Sequence, residues 1–235
     1  VPTASGSARS GTASSRRSAG VNSATGTSPP GTPELTDHFW LLDWGVPFGE
    51  ATVDRLMLVG PDGEVKDANG DPTGAVNTAG YNIHAPILAA RPDAVSAAHT
   101  HTQFGTPWSA NVEPFRALSQ ESCAFVFDQA MFDDEEVEVL SVDGGKRIAA
   151  ALGDSKLCVL RNHGLLTVGR TVEAAVGWFV MAERVAEVHV KAPAGSPISD
   201  ESAAIAASTL SPEAAGWRVF QWLQRNLVPD TSVVE

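Results

Sequence analysis

The sequence has little with which to cross-link itself or to enter a bilayer. Its 235 residues hold two cysteines, Cys123 and Cys158, too few for a disulfide framework. Both lie in apolar segments (CAFVF and KLCVL), where buried, reduced thiols of a cytoplasmic protein are expected. No apolar run reaches the roughly 18 residues that a membrane helix needs. The longest helix-like apolar stretch, residues 172–190, is interrupted by Glu183, Arg184 and Glu187. Basic residues are also scarce. Sixteen Lys and Arg stand against 28 Asp and Glu, a formal net charge of −12, which argues against nucleic acid as a partner because phosphate binding draws on basic patches. What remains is a soluble acidic chain, long enough to bury a substantial core.

Residues 1–33 differ from all that follows. They are rich in Ser, Gly, Thr, Ala and Pro and carry Arg9, Arg16 and Arg17 without one acidic residue. Such a segment buries too little apolar surface to offset its ordering entropy, so it is expected to be disordered. Its composition also matches an organelle transit peptide, and it lacks the apolar centre of a secretory signal. Residues 34–235 then form one domain. Residues 39–44 read as a strand, and residues 55–59 and 64–66 as a hairpin around Pro61-Asp62-Gly63. A helix over 81–90 should stop at Arg91-Pro92. Short strands are expected at 94–98, 123–127, 156–160 and 164–168, and a helix at 145–152. Thr171 should N-cap a helix whose apolar face is Val172, Ala175, Val176, Phe179 and Ala182. A last amphipathic helix spans about residues 212–227. Strands and helices alternate throughout, which indicates a single α/β domain.

Three of the six histidines lie at strand ends. His99 and His101 are two residues apart, and alternate side chains of an extended segment share a face, so both imidazoles can reach one ion. His163 follows a second apolar strand, KLCVLRN, and can supply a third ligand. Three neutral imidazoles with an open position suit Zn²⁺, Fe²⁺, Mn²⁺ or Co²⁺. Half-buried, hydrogen-bonded histidines are the other reading of the same pattern.

The stretch RPDAVSAAHTH, followed by LRNHGLLTVGRTVEAA, resembles the signature of the class II aldolase/adducin superfamily, over about residues 35–191. The resemblance implies a three-layer α/β/α sandwich around a mixed, largely antiparallel sheet, assembled as a homotetramer. It implies that His99, His101 and His163 bind a divalent metal ion, zinc in the first place, and that a small carbonyl compound is the substrate. Two departures stand out. The sugar-phosphate aldolases of the superfamily carry a glutamate acid/base four residues before His84, where this chain has Gly80. Where they show a phosphate-binding Thr-Pro-Ser-Gly-like turn, this chain has Leu42-Asp43-Trp44-Gly45, which would exclude a phosphate. Their opening helix and strand should fall where the low-complexity residues 1–33 stand, as if that terminus were degenerate or read in a shifted frame.

These residues point to a metal-dependent lyase cleaving a carbon–carbon bond, by retro-aldol reaction or decarboxylation, of a non-phosphorylated carbonyl substrate. Two alternatives stand beside it: a non-heme iron oxygenase that decarboxylates a 2-oxo acid, and a non-catalytic adducin-like binding module. Tyr81 and His84 are weak candidates for proton transfer, a hydrogen-bonded structural role being the stronger reading of His84; Trp44, Trp108 and Phe104 could line an apolar wall, with plain core packing the stronger reading of each. Asn162 should orient the turn that bears His163. His38 and His189 have no motif context and are expected at the surface, and the acidic run at residues 133–138 as a solvated turn.

Overall fold

The computed structural model describes residues 22–25, 37–66, 71 and 73–227. Its eight strands are β1 (Asn22–Thr25), β2 (Phe39–Leu42), β3 (Leu56–Val59), β4 (Val65–Lys66), β5 (Ser96–Thr100), β6 (Gln129–Phe132), β7 (Leu157–Leu160) and β8 (Gly164–Gly169). They form one sheet in the order β4-β3-β2-β1-β5-β8-β7-β6. Only β6 and β7 run parallel, joined by the crossover helix α3 (Val142–Leu152) as a parallel pair requires. The other neighbours are antiparallel.

Strand side chains alternate between two apolar layers. Ala98, Leu157, Val159 and Leu165 face the core beneath α4 (Val172–Lys191) and α6 (Glu213–Leu227). Ala97, Cys158, Leu160, Leu166 and Val168 face the opposite core beneath α1 (Thr78–Ala90) and α3. Because the strands are covered on both sides, β7 and β8 read as unbroken apolar runs. This is the expected three-layer sandwich. Cys123 and Cys158 are buried and unpaired, as expected, and burial pushes the Cys158 thiol up to about 12. Helices α4 and α6 touch through Gly177 and Gly216, where a Cβ on Gly177 would lie 1.8 Å from the Gly216 carbonyl oxygen.

Helix starts follow their capping side chains. Asn77, Ser141 and Thr171 each accept a hydrogen bond from a first-turn amide. Helix α1 ends before Arg91, whose guanidinium pairs with Asp93 and donates to the carbonyls of Gly153 and Ser155. The Arg-Pro-Asp turn is thereby tied to the end of α3 and the approach to β7.

Three expectations change. Residues 123–127 are not a strand: Glu121–Ala124 is a 3-10 turn, and the strand follows at β6. Ser119 and Ser122 close that turn with reciprocal side-chain bonds to backbone, the local competition that polar short side chains offer to a ladder. Helices α2 (Gly105–Ser109) and α5 (Asp200–Leu210), the latter capped by Ser199, were not read from the sequence; α5 buries a single residue, Ala203, so its apolar periodicity is weak. Finally, Asn22–Thr25 is a strand between β2 and β5, whereas disorder was expected. Ladder pairing uses backbone groups alone, so a polar segment can fill a gap between two strands. The rest of residues 1–33 lies outside the described residues. Among the described residues, no helix is long and apolar enough to cross a membrane.

Candidate metal centre

The sheet register brings the chemistry to one end. Thr100 pairs with Leu165 and Leu160 with Gly164, so the exit of β5 and the β7–β8 turn are neighbours. Phe132 pairs with Leu160, Leu42 with Leu56, and Asn22 with His99. The β2–β3 loop, residues 43–55, and the acidic run after β6 therefore lie at this same end. Helix α1 reaches β5 through a short connection at the other end, which places its N-terminus, with Gly80, towards the centre.

His99 is buried in the last turn of the ladder, His163 is half-buried and His101 is exposed. One ring nitrogen from each lies within 4.8 Å of the other two, and no other His, Cys, Asp or Glu group of three does so among the described residues. The rings meet edge to face. His99 Nδ1 is 2.8 Å from the carbonyl oxygen of Leu165. A carbonyl can only accept, so Nδ1 carries the hydrogen. Burial, and then the neighbouring His163, hold His99 well below its ordinary value, so the ring is neutral and Nε2 presents a free lone pair. That Nε2 lies 3.2 Å from His163 Nε2. Two imidazoles on one ion at bond lengths of about 2.0–2.1 Å stand roughly 3–3.4 Å apart, so the pair fits a shared cation. Burial, then His101, lowers His163 to about 4, which leaves it unprotonated as a ligand must be. The triad is consistent with a divalent-metal site.

The turn that delivers His163 depends on its flanks. Asn162 takes φ 53°, a left-handed conformation that Asn tolerates, and its amide donates to Ser109 O. Asn162 thus shapes the turn as expected. The acidic run is not merely solvated: Arg161 pairs with Asp133 and Glu135, and Arg147 with Asp134 and Glu136.

Of the proton-transfer candidates, His84 is the one that influences the triad electrostatically. It is fully buried, burial lowers it to about 4, and neither ring nitrogen has a partner among the described residues. It also disfavours the charged form of His99, behind burial and His163. Tyr81 is committed elsewhere: its hydroxyl donates to Pro61 O at 2.6 Å, and its ring stacks on Phe39. Pro61 belongs to the β3–β4 turn, at the far end of the sheet. Gly80 leaves no side chain at the start of α1, although a Cβ there would approach nothing closer than 3.6 Å.

The expected apolar wall is divided. Trp108 is in the core against Phe115 and His189, and Phe104 is partly buried against the same core. Trp44 is 63% exposed, on the β2–β3 loop at the triad's end. The two histidines expected at the surface, His38 and His189, are both buried. His189 is held through Nδ1 by Val185 O, and its Nε2 accepts from the Arg116 amide; His38 Nδ1 contacts Asp37. A chain-linked polar partner makes such burial affordable, and no sequence motif announces it. A separate cleft among Arg91, Asp128, Lys156, Arg170 and Glu213 opens at the other end of the sheet.

One residue of the centre's surroundings escaped the sequence reading. Glu183 of α4 accepts from Thr102 Oγ1, Phe104 N and Gly105 N, at 2.6, 2.9 and 2.7 Å. Its signal was available: it is an acidic residue on the helical face of Phe179, Ala182 and Ala186, where an unpaired carboxylate would not be tolerated.

Residues 8–190 match the Class II Aldolase and Adducin N-terminal domain family. The chain is 37% identical over 192 residues to the 4-hydroxy-3-prenylphenylpyruvate oxygenase/4-hydroxy-3-prenylbenzoate synthase of Streptomyces roseochromogenus subsp. oscitans, a span of 80% of this chain and 68% of that protein. It is 35% identical over 210 residues to the decarboxylase NovR of Streptomyces niveus, covering 86% and 76%. The L-fuculose 1-phosphate aldolase from Glaciozyma antarctica PI12 superposes with a TM-score of 0.75 at 33% identity, over 89% of this chain and 81% of that one. With its fold, its histidine triad and a match across most of its length, the chain belongs to the class II aldolase and adducin N-terminal domain family.

Proposed function

We propose that this chain is a metal-dependent enzyme that cleaves the carbon–carbon bond beside a carbonyl of a non-phosphorylated 2-oxo acid, by decarboxylation or retro-aldol reaction. The carrying observation is a cluster of three converging imidazoles with no carboxylate among them. A divalent ion held by His99, His101 and His163, zinc in the first instance, supplies Lewis acidity towards a carbonyl oxygen. The protein's own part is to keep the His99 and His163 rings deprotonated by burial, and to fix the His99 tautomer through Leu165. Gly80 brings no base to the α1 end, and Asp43 and Trp44 stand where a phosphate would need amide or hydroxyl donors. Trp44 offers instead an exposed aromatic surface at the triad's end. The two Streptomyces relatives are named for an arylpyruvate oxygenase and a decarboxylase, which supports a 2-oxo acid over a sugar phosphate.

Those names favour a second reading on the same site, an iron-dependent oxidative decarboxylation, since three histidines leave positions open for dioxygen. A non-catalytic module fits less well, because nothing would then require three converging ligands. A homotetramer in the cytoplasm remains the expected setting.

The test is turnover of phenylpyruvate, and of a 4-hydroxy-2-oxo acid for the retro-aldol reaction, by protein reconstituted with Zn²⁺ or Fe²⁺, with and without air, following carbon dioxide or pyruvate release and oxygen uptake. Anaerobic cleavage supports the lyase. Turnover only with Fe²⁺ and with stoichiometric oxygen consumption selects the oxygenase. Elemental analysis of His101→Ala is expected to show metal content reduced several-fold; equal content would remove the metal from either reading.

A further inference from the structure

His101 is the least constrained of the three ligands. His99 sits in the ladder opposite Leu166 and bonds Leu165 through Nδ1. His163 is held by the tight β7–β8 turn. His101 lies beyond Thr100, the last paired residue of β5, is exposed, and its ring makes no hydrogen bond among the described residues. What fixes its backbone must come from downstream.

Residues 102–105 are fastened to α4. Glu183 Oε2 takes the hydroxyl of Thr102 and the amide of Gly105, while Oε1 takes the amide of Phe104. Thr102 is closed further by its own amide, which donates to Thr106 Oγ1. A carboxylate accepting three such bonds is a stiff joint, since charge-assisted bonds are the stronger class. Helix α4 is itself packed against the sheet and α6, so the joint refers His101 to the rigid body of the fold. Glu183 is not itself a member of the ligand cluster; its oxygens are occupied by donors.

We propose that Glu183 is a positioning residue for the metal centre, setting the exit path of β5 so that His101 meets His99 and His163. This rests on the reading of the triad as a metal site. Loss of a positioning group around a ligand typically weakens metal affinity about 10–100-fold.

The experiment titrates the metal-free protein with Co²⁺, following the visible absorption of the bound ion, in parallel with thermal unfolding of the metal-free form. Glu183→Gln puts an amide NH₂ where an amide N–H or the Thr102 hydroxyl now donates, and is expected to bind Co²⁺ about tenfold or more weakly. Thr102→Val removes one of the three bonds and should weaken binding by a smaller factor. Glu187→Gln, one turn on and paired among the described residues with the exposed Lys191, should leave it unchanged. A Glu183→Gln protein that melts lower but binds Co²⁺ as tightly as the parent would overturn the proposal. If that variant does not fold, Thr102→Val decides, with unaltered affinity overturning it. Failure of the parent itself to bind Co²⁺ withdraws the metal reading, and the role of Glu183 with it.

Discussion

His84 is a fully buried imidazole with both nitrogens unpartnered among the described residues. An unsatisfied buried polar group costs about 1–3 kcal/mol, whereas an apolar side chain of similar size does not. His84→Leu is therefore expected to raise the stability of the metal-free protein by about 1 kcal/mol or more, read from urea unfolding. A loss of stability would show that the ring has a partner it needs. At this scale the sequence was a partial guide. The triad was legible because strand parity and motif context both speak through single residues. The buried state of His38 and His189 was not, because it depends on Asp37, Val185 and the Arg116 amide closing around rings that carry no motif. The partner of Tyr81 was not legible for the same kind of reason: its neighbour in sequence is the Gly80 position, but its hydroxyl reaches Pro61, 20 residues away.

Among the elements, the sharpest constraint is the crossing of α4 and α6. Gly177→Ala would drive a methyl to 1.8 Å from a backbone oxygen, so the helices must separate. Overpacking of this kind costs about 1–3 kcal/mol, and the upper end is expected because a backbone carbonyl cannot swing aside as a side chain can. Chemical denaturation measures it; a change below the lower bound would mean that the helices are less tightly seated than they are drawn. Most elements were readable in outline. Capping by Thr171, the hairpin around Pro61-Asp62-Gly63 and the stop at Arg91-Pro92 all follow from local chemistry. The strand expected at residues 123–127 failed because a short apolar run does not distinguish a strand from a buried turn, and Ser119 and Ser122 settled the matter.

For the molecule as a whole, buried neutral histidines predict acid sensitivity. Burial lowers His84 and His163 to about 4 and displaces His99 and His189 in the same direction. Their folded values lie below the unfolded value of about 6.5. The unfolded chain thus binds more protons as the pH falls through that range, and stability drops with it. Above pH 6.5 the four make no contribution. From about 6.5 down to about 4 the metal-free protein should lose stability, with roughly 3 kcal/mol from His84 alone. Urea midpoints measured at pH 7, 5.5 and 4.5 test this, and His84→Leu should flatten the profile. A midpoint constant over that range would contradict the burial of neutral rings.

What the amino-acid order decided alone was local or periodic: two apolar faces on the central strands, capped helices, and a His-x-His pair with both rings on one side. These follow from backbone geometry and side-chain type within a few residues. Only the folded chain decided which strand ends share an edge of the sheet. That edge joins His163 to His99 across 64 positions, and Glu183 to Thr102 across 81. Such pairings depend on register between distant strands and on the packing of α4 back across them, and no local pattern encodes either.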